Sequence, residues 1–143
     1  MADQIHVPPG GPPQGPGPSR ELYARMGQEA IFRMCRDFYA CLEQSPIRPM
    51  FPDDMAHASE KLAAFLVGIT GGPPLYHQRH GEPRMRARHL PFAIGEEARQ
   101  AWLGCFLTTL EGAEQKYGFP PEHLDGFKAF LTGFSQWMVN RAG

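Results

Sequence analysis

Little in this chain of 143 residues carries net charge: 14 Lys and Arg stand against 15 Asp and Glu, a formal balance of -1. Recognition of nucleic acid or of an acidic membrane surface by charge needs a basic excess, so neither is an expected partner. Long hydrophobic runs are missing too. The longest apolar stretch, Ala63 to Thr70, falls well short of the roughly 20 residues that cross a bilayer. Met1 to Val7 is polar and no hydrophobic segment follows it, so no signal peptide is expected and the chain reads as soluble and cytoplasmic. Cysteine is scarce: Cys35, Cys41 and Cys105 are odd in number and contain no CxxC. That pattern argues against a disulfide scaffold and against a zinc ribbon. All three fall in apolar helical patterns and read as small buried hydrophobes, with a redox role for one of them as the alternative. Sustained period-two alternation is absent as well, which removes the ordinary signature of a half-buried strand.

What is abundant is Pro and Gly, and they cluster. Ten of the twelve residues from 7 to 18 are one or the other. Such a segment cannot bury a core, so residues 1–18 are expected to be a disordered N-terminal extension and residues 19–143 the folded domain. Within that domain four main helices are expected. The first runs from Gln28 to Gln44 on the stripe Ile31, Cys35, Phe38 and Leu42, and Ser45-Pro46 ends it. The second starts near Asp53 or Asp54, whose carboxylates suit a helix N-terminus. It continues through Met55, Ala58, Leu62, Phe65, Leu66 and Ile69 until Gly71-Gly72-Pro73-Pro74 stops it. Residues 71–88 read as one long connection, of a length usually reserved for function. The third helix spans about Gly95 to Gly112, with Ala98, Ala101, Trp102, Cys105, Phe106 and Thr109 inward. The fourth begins at Pro120-Pro121 and carries Leu124, Phe127, Phe130, Leu131, Phe134, Trp137 and Met138. The fold class is all-α.

Chemistry has to be sought among the six histidines. His6 and His123 read as solvated. His77 and His80 have an i,i+3 spacing but lack carboxylate or thiolate partners for a zinc site. His89 stands out, because it closes the basic run Arg84-Met85-Arg86-Ala87-Arg88 and precedes Leu90-Pro91-Phe92. It is either a core histidine hydrogen-bonded to backbone or an axial ligand to haem. The second role requires apolar walls and cations at the rim for two propionates, which Lys61, Arg86 and Arg88 can provide. Tyr39 and Trp102 each place a polar handle at the apolar edge of a helix. They are core aromatics whose tips find backbone partners, or donors facing a site.

The order of several short motifs goes further. They are Leu22-Tyr23-x-x-x-Gly27, Asp37-Phe38-Tyr39-Ala40, Phe51-Pro52-Asp53-Asp54, Phe65-Leu66, Gly71-Gly72-Pro73 and Tyr76. After these come Gly81-x-Pro83-Arg84-Met85-Arg86-x-Arg88-His89-x-Pro91-Phe92-x-Ile94 and Ala101-Trp102-Leu103-x-Cys105. In this order and spacing the chain resembles the group II truncated haemoglobins over nearly all of residues 20–140. The resemblance implies a truncated globin fold, a two-over-two helical sandwich around haem b (iron protoporphyrin IX). It implies His89 as the proximal, metal-ligating residue of a pentacoordinate iron, with Tyr39 and Trp102 hydrogen-bonding a bound diatomic ligand: oxygen, carbon monoxide or nitric oxide. Phe51 stands at a position often Tyr, so one donor is missing. Ala58 and Leu62 form the distal wall, and His57 is expected to point away from the iron. Two donors favour slow oxygen release. The alternative implied function is a redox enzyme, a nitric oxide dioxygenase or peroxidase-like catalyst supplied by an external reductase. Either a monomer or a homodimer fits. The Pro/Gly extension lies outside the family pattern.

Overall fold

The computed structural model describes residues 17–82, 84 and 94–141. Among them every regular element is helical, as the lack of period-two alternation predicts. We number the helices α1 (Leu22–Met26), α2 (Gln28–Glu43), α3 (Met55–Ile69), α4 (Leu75–His80), α5 (Glu96–Thr109), α6 (Ala113–Tyr117) and α7 (Leu124–Met138). Short 3-10 turns occupy Arg48–Met50 and Pro121–His123. The long helices form two pairs: α2 packs along α3, α5 packs along α7, and α2 crosses to α5. This is the two-over-two sandwich expected from the sequence.

The expected stripe of α2, Ile31, Cys35, Phe38 and Leu42, is buried, and Ala30 and Met34 widen it. Helix α3 begins where the acidic pair predicts. The Asp54 carboxylate accepts the His57 backbone N–H at 3.0 Å, a cap that contributes about 1 kcal/mol. The buried face is shifted from the expected stripe, of which Met55 and Leu66 are buried and Leu62, Phe65 and Ile69 pack half-buried against the core. Met55, Ser59, Ala63, Leu66 and Val67 face the core, while Ala58 and Leu62 turn toward a cavity. At 100° per residue the two stripes are neighbours on one cylinder, and apolar periodicity alone merges them.

Three further differences have local causes. The connection 71–88 is not structureless: α4 follows directly on Gly71-Gly72-Pro73-Pro74 and buries Leu75 and Tyr76. Six residues are too few to show a period, so tertiary packing decides this helix. Helix α5 stops at Thr109, and the segment read as its end turns through Gly112 in a left-handed conformation into α6. Pro18, assigned by composition to the extension, is buried.

The N-terminal segment is fastened to the end of α3. Tyr23 donates its backbone N–H to the Thr70 carbonyl at 3.1 Å. Gly71, with φ of +102°, lies so close beneath Arg20 that a Cβ would stand 2.0 Å from the Arg20 carbonyl oxygen. Both the dihedral and the contact exclude a side chain there. Gly71→Ala is therefore expected to destabilise the fold by about 3 kcal/mol or more. Gly27→Ala has an unfavourable φ of +85° but open space around it, and should cost clearly less. Urea unfolding of the two variants against the parent chain measures both.

Candidate functional site

The long helices leave a cavity of about 710 Å³ between them. Its walls are contributed by α2 (Tyr39), by the turn and extended segment that follow (Ile47, Pro49, Met50, Phe51, Pro52) and by α3 (His57, Ala58, Lys61, Leu62). Tyr76 of α4, Ile94, α5 (Ala98, Arg99, Trp102) and α7 (Phe134, Ser135, Met138) complete it. Of the candidates from sequence, Tyr39, Phe51, Ala58, Lys61, Leu62 and Trp102 all line this one cavity. Residues from four sequence-distant elements thus converge. His89, Arg86 and Arg88 lie outside the described residues.

Two polar groups decide the character of the site. The Tyr39 ring stands edge-on to Phe51 at 5.7 Å and to Phe38 at 5.4 Å. The Trp102 ring is edge-on to Phe38 at 5.3 Å and tilted against Phe134 at 6.4 Å. Among the described residues neither the Tyr39 hydroxyl nor the Trp102 indole N–H has a protein acceptor. A donor withdrawn from water without a partner costs about 1–3 kcal/mol, so two half-buried ones on one apolar cavity mark a place for an acceptor that the chain itself does not supply. Burial, and secondarily the nearby Cys35, pushes the Tyr39 phenol well above its usual range. The hydroxyl therefore stays protonated and available as a donor.

The edge of the cavity carries basic side chains. Lys61 and His57 lie one helical turn apart on α3, both exposed. His57 was expected to turn away from the iron; it lines the cavity at this exposed rim. Its ring also lies 6.0 Å from that of His80, which packs at 5.1 Å on Tyr76. Arg99 was not anticipated from sequence. It is buried at the wall, donating from Nη1 to Glu96 Oε1 at 2.6 Å and from Nε to Ser135 Oγ at 3.1 Å. Two signals were present: its i,i+3 spacing from Glu96, and its place on the stripe Arg99, Trp102, Phe106 and Thr109. His123, read as solvated, is partly covered and held 2.9 Å from the Glu21 carboxylate. Apolar walls, two donors and the Lys61 ammonium at the rim suit a flat apolar group with an anionic edge and a small acceptor ligand.

The helical architecture is shared with known proteins. The family model for bacterial-like globins matches residues 21–136. A curated relative, the group 2 truncated hemoglobin YjbI of Bacillus subtilis, is 39% identical over 90 residues, 62% of this chain and 68% of that protein. The solved group II truncated haemoglobin from Bacillus anthracis superposes with a TM-score of 0.77 at 31% identity, covering 91% of this chain and 96% of that one. The truncated oxygen-avid haemoglobin from Bacillus subtilis gives 0.75 at 34% identity, with 83% and 98% covered.

The raised Tyr39 titration has a consequence for stability. Above the unfolded phenol value of about 10, the unfolded chain loses a proton that the folded chain keeps, so stability is full below that pH and falls as pH rises. Tyr39→Phe removes this contribution. Its urea midpoint should decline less than that of the parent chain between about pH 9 and about pH 11, and parallel declines would show that the phenol titrates normally.

Proposed function

The chain belongs to the bacterial-like globins as a group II truncated haemoglobin, and on that premise we propose that it holds haem b through His89 and binds oxygen, carbon monoxide or nitric oxide beside Tyr39 and Trp102. The family is one of haem-based binding of small gaseous ligands. The observation that carries the finer reading is the pair of unpaired donors, Tyr39 Oη and Trp102 Nε1, on the wall of a 710 Å³ cavity. The cavity's size, its apolar lining and its rim cation Lys61 fit the macrocycle and a propionate.

When bound, haem b supplies an iron that takes a diatomic ligand and shifts electron density onto it. The chain's own residues do the rest. His89 would hold the iron through a neutral imidazole nitrogen. Lys61, Arg86 and Arg88 would neutralise its propionate carboxylates. Phe51, Ala58 and Leu62 keep the ligand side dry, which strengthens every hydrogen bond made there. Tyr39 and Trp102 donate to the ligand's negative end. Phe51 adds no third donor.

His89→Ala should lose most of its haem on reconstitution, seen as loss of the Soret band, while far-UV circular dichroism stays helical. Undiminished haem with an unchanged ferrous spectrum would show that another group holds the iron. Tyr39→Phe and Trp102→Phe should each speed oxygen release about tenfold or more, since a hydrogen bond to a charged acceptor contributes about 1.5–3 kcal/mol. Carbon monoxide carries less negative charge when bound, so its release should change less. Because the donors share one ligand, their effects should be non-additive in a double-mutant cycle. Unchanged oxygen release in both variants would remove these residues from the site.

A further inference from the structure

Cys41 on α2 and Cys105 on α5 are 64 residues apart in sequence, yet their sulfur atoms stand 2.7 Å apart. Unbonded carbon atoms rest about 3.5–4.0 Å from one another and sulfur is larger. Bonded sulfurs stand about 2.05 Å apart. The two thiols are already inside ordinary contact, and a movement of less than about 1 Å joins them. Cys105 is buried and Cys41 is half-buried, so one thiol can meet a reagent while the other waits behind it. Cys35, buried on α2 at six residues' remove from Cys41, is not paired with either.

We propose that Cys41 and Cys105 are a reversible disulfide site that takes a low-molecular-weight disulfide as oxidant and, once joined, ties α2 to α5. The Cys41 thiol gives up its proton to solvent, and the thiolate attacks one sulfur of the reagent. A mixed disulfide forms at Cys41 and the first reagent thiolate leaves. The Cys105 thiol then loses its proton and attacks the Cys41 sulfur, releasing the second reagent thiolate. The two leaving thiolates take up the two protons, so two protein thiols and one disulfide become one protein disulfide and two small thiols. Burial, aided by the contact with Cys41, pushes the Cys105 thiol up to about 12; this slows the second step and keeps the reduced pair stable until a reagent engages Cys41.

The location gives the bond a structural effect. Tyr39 precedes Cys41 by two residues, and Trp102 precedes Cys105 by one helical turn. The crosslink therefore fixes the spacing of the two helix segments that carry the cavity's donors. It rests on the sulfur geometry alone and holds whatever the cavity binds.

The test uses the full chain, reduced and then equilibrated in buffers of graded glutathione and glutathione disulfide. Remaining thiols are trapped with N-ethylmaleimide, and the unfolded chain is weighed and peptide-mapped. Two of the three thiols should vanish together, leaving Cys35 alkylated and a 41–105 crosslink. The oxidised chain should melt roughly 10 °C above the reduced one, because the bond closes a long loop. Cys41→Ser and Cys105→Ser should lose that oxidation-dependent shift. Three persisting thiols in glutathione disulfide alone, a glutathione adduct that stops at Cys41, a bond involving Cys35, or a disulfide-linked dimer would each overturn the assignment.

Discussion

Phe38 holds the two halves of the molecule in register. Its ring is fully buried where α2 crosses α5, stacked on Phe106 at 4.3 Å. The same ring meets Tyr39 and Trp102 edge-on, at interplanar angles of 78° and 84°. One aromatic thus braces both donor-bearing rings at once. Each such pair contributes about 0.5–1.5 kcal/mol beyond burial, which is comparable to the cost of leaving a donor unpaired. From Phe106 the contacts pass to Phe127, and from Phe127 to Phe119 and Phe130. The wall behind the donors is therefore stiff. A cavity of this size between helices demands such stiffness, since soft walls relax inward.

The same demand explains why α3 is two-sided. A helix that only closed a core would present one apolar stripe. Here Ala63 and Ala64, both buried, bring α3 close to its neighbours, while Ala58 and Leu62 form a second face toward the cavity. The small side chain at Ala58 leaves room where a larger one would fill it. The polar groups follow the geometry of the cylinder: His57 and Lys61 stand at the edge, where the stripe meets solvent.

The parts legible in the sequence were those governed by local rules repeated over several turns. The four long helices show a 3.6-residue period, and Asp54 and the Gly71-Gly72 pair sit where caps and tight turns demand them. Tyr39, Phe51, Ala58, Lys61, Leu62 and Trp102 could be assigned to one site only through the motif order, because no local rule relates α2 to α5. What stayed hidden depends on tertiary contact alone. Helix α4 has no period to show, and its reason for existing is the burial of Leu75 and Tyr76. Arg99 looks like a misplaced charge in a buried stripe until Glu96 and Ser135 are placed around it. The approach of Cys41 to Cys105 arises from the crossing of two helices, which neither helix encodes by itself.

One group of hydrogen bonds fixes the chain where it reaches the cavity at Ile94. Asn140, just past α7, is fully buried. Its side-chain oxygen accepts the Ile94 N–H at 2.9 Å, and its own backbone N–H donates to the Ile94 carbonyl at 2.9 Å. The Arg141 N–H reaches the same carbonyl at 3.1 Å. Ile94 lines the cavity and follows His89 by five residues, so the chain downstream of the proposed ligand is anchored to the end of α7. Ile94 is buried with Met138 and Val139 against the half-buried Phe134 and Trp137, and an extended five-residue segment spans at most about 18 Å. The anchor thus caps the chain length available between position 89 and Ile94 on the cavity wall.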